Sequence, residues 1–151
     1  MSDYNTFASA NNAYENGDYK LAFKLFLDAS KSGDTDATSR IASMYADGEG
    51  VDRDYEKSIE WDLKAIGEGN VVSMANLAIT YRMIGNIKES KYWFEQAIGA
   101  GDSDAALELA KLFMVSDKEK EKVVYLLNLV LDSKSSCDSS KEEASTLLDN
   151  L

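Results

Sequence analysis

The chain contains no histidine, no proline and a single cysteine among 151 residues. Without histidine it lacks the side chain that most often serves as general base and as metal ligand near neutral pH. One cysteine excludes an internal disulfide and every cysteine-rich zinc site. Cys137, set in Ser135-Ser136-Cys137-Asp138-Ser139-Ser140, reads as an incidental loop thiol. The absence of proline removes the commonest helix breaker from the whole length. Long apolar runs are missing as well, none approaching the roughly 18 residues of a membrane span. The opening stretch, MSDYNTFASANNAY, has neither a basic nor an apolar leader segment. The expectation is a cytoplasmic chain, a mature exported chain without its leader being the alternative. Cations are scarce: 16 Lys and Arg stand against 27 Asp and Glu, a formal net charge of −11. That balance disfavours nucleic acid and anionic membranes, which need a cationic surface, and favours a basic protein or peptide as partner.

What is present is periodicity. Hydrophobic residues make up 44% of the chain, enough for a continuous core. From Ala37 to Asn70, Ala37, Ile41, Ala42 and Tyr45 fall at helical spacing, as do Tyr55, Ser58, Ile59, Leu63 and Ala65. Gly48-Glu49-Gly50 between them predicts a tight turn that uses positive φ. The stretch therefore reads as two antiparallel helices. The pattern recurs. Asp18-Tyr19 through Phe23 aligns with Asp54-Tyr55 through Ile59, and Trp61, Ala65, Gly67 and Gly69 return as Trp93, Ala97, Gly99 and Gly101. Tyr14, Tyr45, Tyr81 and Phe113 form one aromatic series, and Ala10, Ala42, Ala78 and Ala110 one small-residue series. Agreement of so many positions in one register marks an internal repeat. Gly17-Asp18 predicts the turn of the first pair, and Gly33, Gly69 and Gly101, each followed by Asp or Asn, predict the junctions between repeats.

These residues resemble the Sel-one-like repeat family, relatives of the tetratricopeptide repeats. The second repeat carries the fullest set: Ala37, Ile41-Ala42, Tyr45, Gly48-Glu49-Gly50-Val51, Asp54-Tyr55, Ser58, Trp61, Lys64-Ala65 and Gly69. The third lacks the Gly-x-Gly-Val insertion, the first is closer to a plain tetratricopeptide unit, and the fourth is degraded, with Ser116-Asp117-Lys118 as a turn without glycine. The resemblance implies an all-α, right-handed α-α superhelix, a solenoid of about four helix-turn-helix repeats. The expected frame is one domain over residues 1–151, with repeats at 3–34, 35–70, 71–102 and 103–134. Residues 141–151, with Ala144, Leu147, Leu148 and Leu151 on one face, are expected to form a capping helix after a serine-rich loop over 133–140. Trp61 and Trp93 are expected to cover the seam with the following repeat, and the small Ala42 and Ala78 to let paired helices approach closely.

Chemistry is expected to be absent. Pairs such as Asp34/Asp36 and Asp52/Asp54 read as caps and solvated faces in so acidic a chain. Asp47 to Asp52 lacks the ligand spacing of a calcium loop, and Gly48 and Gly50 do not form a phosphate-binding pattern. The expectations are therefore no enzyme, no metal and no cofactor. The resemblance implies instead a protein–protein interaction scaffold or adaptor that binds a peptide or protein on its concave side, lined by the first helix of each repeat. Helical spacing places Asn5, Asn12 and Asn16, then Ser39, Ser43, Ala46 and Asp47, then Ile79, Arg82 and Met83, then Leu107, Lys111 and Met114 on that stripe. The alternative is an acidic immunity or inhibitor protein that neutralises a cognate toxin or enzyme.

Overall fold

Aspartate and asparagine set where most of the helices begin. The side chain of Asp18 accepts from the Leu21 N–H at 3.2 Å, Asp34 from Ala37 at 3.0 Å, Asp54 from Lys57 at 3.0 Å and Asn86 from Glu89 at 3.3 Å. Each satisfies a donor that a first helical turn leaves without an internal partner. Asn70 and Asp102 serve the Ser73 and Ala105 N–H groups in the same way, at 3.3 Å. The helix ends are equally regular. The Gly33 N–H reaches the Ser30 carbonyl while the Asp34 N–H reaches Ala29, and the same two bonds recur at Gly69-Asn70 and Gly101-Asp102.

The computed structural model describes residues 3–115 and 119–151, with side chains from residue 6 onward. Among the described residues every regular element is an α-helix: α1 (Asp3–Glu15), α2 (Tyr19–Lys31), α3 (Thr35–Asp47), α4 (Tyr55–Gly67), α5 (Val72–Met83), α6 (Ile87–Gly99), α7 (Asp104–Met114), α8 (Lys120–Asp132) and α9 (Asp138–Asp149). The architecture is all-α, built of helices that pack on their neighbours in sequence. The Ser116-Asp117-Lys118 turn lies outside the described residues.

The helices group into two compact units, Met1–Ile84 and Gly85–Leu151. In the first, α1 packs on α2, α2 on α3, α3 on α4 and α4 on α5, and α3 also meets α5. Ala10, Ala22, Phe26, Ile41 and Met44 form its core. Trp61 is half-buried and packs against this cluster, which α1, α2 and α3 supply. Its contact with this cluster places it against the preceding repeat. Ala10 and Ala42 are completely buried, as is Ala78. The turn before α4 depends on Gly50, at φ 74°, where an added Cβ would overlap the Tyr19 carbonyl.

In the second unit α6 packs on α7, α7 on α8 and α8 on α9, with a further contact between α7 and α9. Phe94, Leu109, Leu127 and Val130 fill the core, and Phe113 lies between the Lys91 and Lys122 ammonium groups, each 4.2 Å from the ring centroid. The last helix begins at Asp138, three residues before the charged run that predicts it. Asp138 in the first turn complements the helix dipole, which offsets the weak propensity of Ser139 and Ser140. The serine-rich loop is correspondingly shorter, and Ser103 ties it down through bonds to Ser133 at 2.7 Å and Ser136 at 2.7 Å.

Candidate functional site

Two walls and an inner end make a half-open cavity of about 150 Å³ in the first unit. One wall is the last turns of α3, with Ser43, Ala46 and Asp47; the other is α5, with Asn76, Ile79, Thr80 and Met83. Asn70 holds the walls in register. Its amide donates to Asp36 Oδ1 at 2.9 Å and Thr35 Oγ1 at 3.4 Å at the start of α3, while its carbonyl oxygen caps α5. Asn76 donates across to Ser39 Oγ at 3.4 Å. The inner end comes from α4, through Ser58 and Asp62.

Asp62 is the anomaly. It is the eighth residue of α4, and the eighth residues of α2, α6 and α8 are Phe26, Phe94 and Leu127. Those three are 0% exposed, and Asp62 is 1% exposed. A carboxylate thus occupies a place that the other second helices give to a large apolar side chain. Phenylalanine exceeds aspartate in volume, so the exchange opens space where a ring would sit. Among the described residues no donor is in hydrogen-bond geometry with Asp62 Oδ1, and the hydroxyls of Ser58 and Ser73 are also without a protein partner. Burial pushes the Asp62 carboxyl up to about 7. The nearby Ser73 hydroxyl acts against that rise. Asp47, at the exposed mouth, is raised by burial and by Glu49 and lowered by Arg53. No lining residue is basic.

Of the residues expected on the binding stripe, the fold brings Ser43, Ala46, Asp47, Ile79 and Met83 together around this cavity. Asn12 and Asn16 are exposed on or beside α1, away from it, and the side chain of Asn5 lies outside the described residues. Arg82 is half-buried on α5. Three expectations of exposure are corrected. Ser39 is buried beneath Asn76, Ala46 is buried where α3 meets α5, and Leu107 is buried in α7, which packs on α6, α8 and α9. In the second unit Lys111 is engaged by Glu108 at 3.0 Å and Glu143 at 2.7 Å, and Met114 lines another cavity with Phe113 and Val123. Asp62 and Asn76 were not among the expected site residues. The repeat register held the signal for Asp62, since aligning the second helices sets it against Phe26 and Phe94.

Elsewhere in the first unit, Tyr14 donates to Glu49 Oε2 at 2.6 Å, which with burial pushes its phenol up to about 12. Arg40 lies over the Tyr14 ring, 5.0 Å from its centroid, and donates to Asn11 at 3.1 Å. Cys137 is an exposed thiol whose pKa is lowered by the Ser139 and Ser140 hydroxyls. Among the described residues no helix is long and apolar enough to cross a membrane.

A family model for the Sel1 repeat matches residues 9–34, 35–70 and 71–102, more than half of the chain. Two solved structures are similar. A Sel1 repeat protein from Oxalobacter formigenes shares 25% identity with a TM-score of 0.69, over 82% of this chain and 53% of its own. A protective antigen of uropathogenic Escherichia coli with an SLR fold shares 17% identity with a TM-score of 0.75, over 99% of this chain and 34% of its own. This chain therefore spans about half the length of the first and a third of the second. No curated protein matches the sequence.

Proposed function

The chain belongs to the Sel1 repeat family, and we propose that it acts as a non-catalytic scaffold that binds a basic protein or peptide. The surface we assign to binding is the α3–α5 face of the first unit. One observation carries the reading: five side chains that helical spacing places on the expected stripe, Ser43, Ala46, Asp47, Ile79 and Met83, converge on one cavity that also holds the buried Asp62. The cavity combines apolar walls, hydrogen-bonding groups and two carboxylates, the mixture that fixes and orients a bound chain. A net charge of −11 steers a cationic partner toward it.

Affinity capture from an extract of the source cells tests this. The intact chain should retain a partner. Met83→Glu, at an exposed rim position, should lose most of it, and Lys24→Glu on the outer face of α2 should not. Equal capture by both variants would remove the α3–α5 face from consideration, and capture of nothing would sink the scaffold reading. Recovery of a folded enzyme in a one-to-one complex, with its activity lost, would instead identify an inhibitor.

A further inference from the structure

A buried ionisable group with an oxygen that meets no protein donor, at the end of an open cavity, is costly to keep unless something occupies the space. Asp62 is such a group. It is 1% exposed, its Oδ1 meets no donor among the described residues, and Ser58 Oγ beside it in the cavity lining is likewise unpartnered. The corresponding positions in the other second helices show that the fold accommodates a large apolar residue there and buries it fully. A carboxylate is therefore not what packing asks for.

We propose that this cavity receives the ammonium group of a lysine side chain carried by the partner polypeptide. The proposal rests on the scaffold reading and names the chemistry the partner must present. An ammonium is a compact charge with three donors. Asp62 Oδ1 and Ser58 Oγ supply two orphan acceptors at the inner end. Ile79, Met83 and Ala46 flank the entrance with apolar surface for the four-carbon stem, and Asp47 at the mouth draws the charge in. The planar, five-donor guanidinium of arginine matches a flat bidentate acceptor better than this set, so lysine is preferred over arginine. The pairing would give the open Oδ1 of this buried carboxyl a charge-assisted hydrogen bond.

The test uses the full chain and three peptides, acetyl-Gly-Lys-Gly-amide and its Nε-acetyllysine and norleucine counterparts, with n-butylamine as a free amine. Binding is followed by NMR shifts of Ser58, Asn76 and Ile79. The lysine peptide should give saturable shifts at these residues, the acetylated and norleucine peptides should bind at least about tenfold more weakly, and n-butylamine should bind more weakly than the peptide. Asp62→Asn should weaken lysine-peptide binding by about tenfold or more. Asp62→Phe restores the side chain that α2 and α6 carry, so it should fold, fill the cavity and abolish the shifts. Its thermal melt shows that lost binding is not lost structure. Equal binding of the neutral peptides, unchanged binding by folded Asp62→Phe, or absence of saturable shifts, as for a cavity that holds only water, would each overturn the proposal. Butylamine binding as tightly as the peptide would overturn the polypeptide source. Partner capture that persists undiminished with Asp62→Phe would reject the lysine pocket while leaving the scaffold reading standing.

Discussion

At the scale of single residues, position within the repeat decides what a side chain does. Asp62 shows this through its titration. Its folded-state pKa of about 7 exceeds the ordinary 3.8. Between those values the folded chain holds a proton that the unfolded chain has released, so stability should fall as pH rises from about 4 to about 7 and level off above. Asp47 is shifted in the same direction and adds to the slope. The Asp62 contribution is on the order of a few kcal/mol. Asp62→Asn should remove most of it, seen as urea midpoints that differ little between pH 5 and pH 8 while those of the wild type drop. A midpoint series with identical slopes in both proteins would contradict a carboxyl raised by burial. Tyr14 offers a second readout. Glu49→Gln removes the carboxylate that its hydroxyl bonds, so ultraviolet titration should find the phenol moved down from about 12 toward its usual 10. Gly50 is constrained by backbone as well as space. Gly50→Ala should cost about 2 kcal/mol or more, because it combines positive φ with overlap on the Tyr19 carbonyl.

At the scale of elements, caps and close approaches carry the order. Asp54 caps α4 through the Lys57 N–H, and Asp54→Ala should cost about 1 kcal/mol in chemical denaturation. Ala42 is completely buried on α3, and Ala42→Leu should cost roughly 1–3 kcal/mol through overpacking. Trp61 is only half-buried. Its truncation to alanine should therefore fall below the roughly 3–5 kcal/mol of a fully enclosed aromatic. α9 places Ala144, completely buried, against α8 and α7, while its other face stays polar.

At the scale of the whole chain, charge is the dominant collective property. With a net charge of −11, association with a basic partner should be fast and salt-dependent. Raising salt from about 50 mM to about 500 mM should weaken capture several-fold, mainly by slowing association, as screening shortens the reach of the acidic surface. A partner that binds equally well at both concentrations would point to an apolar interface and away from the carboxylates of the α3–α5 cavity.

Local pattern was enough for the helical repeat. Glycine followed by Asp or Asn marks every described junction between repeats, and apolar spacing marks the helices, because capping and periodicity act within a few residues of one another. The start of α2 at Tyr19 and its end at Lys31 follow from that alone. The start of α9 did not, since a helix dipole and the packing of Ala144 outweighed the weak propensity of a serine run. Exposure of the first-helix stripe was legible only in part. Helical spacing identifies a face, but whether Ser39, Ala46 or Leu107 stays open depends on which neighbouring helix lies across it. The cavity belongs wholly to that second category: its walls are α3 and α5, 36 residues apart in equivalent places. Aspartate at position 62 is written in the chain, but that it is buried, with Oδ1 meeting no donor, and lining an opening follows only from helices distant in sequence coming into contact.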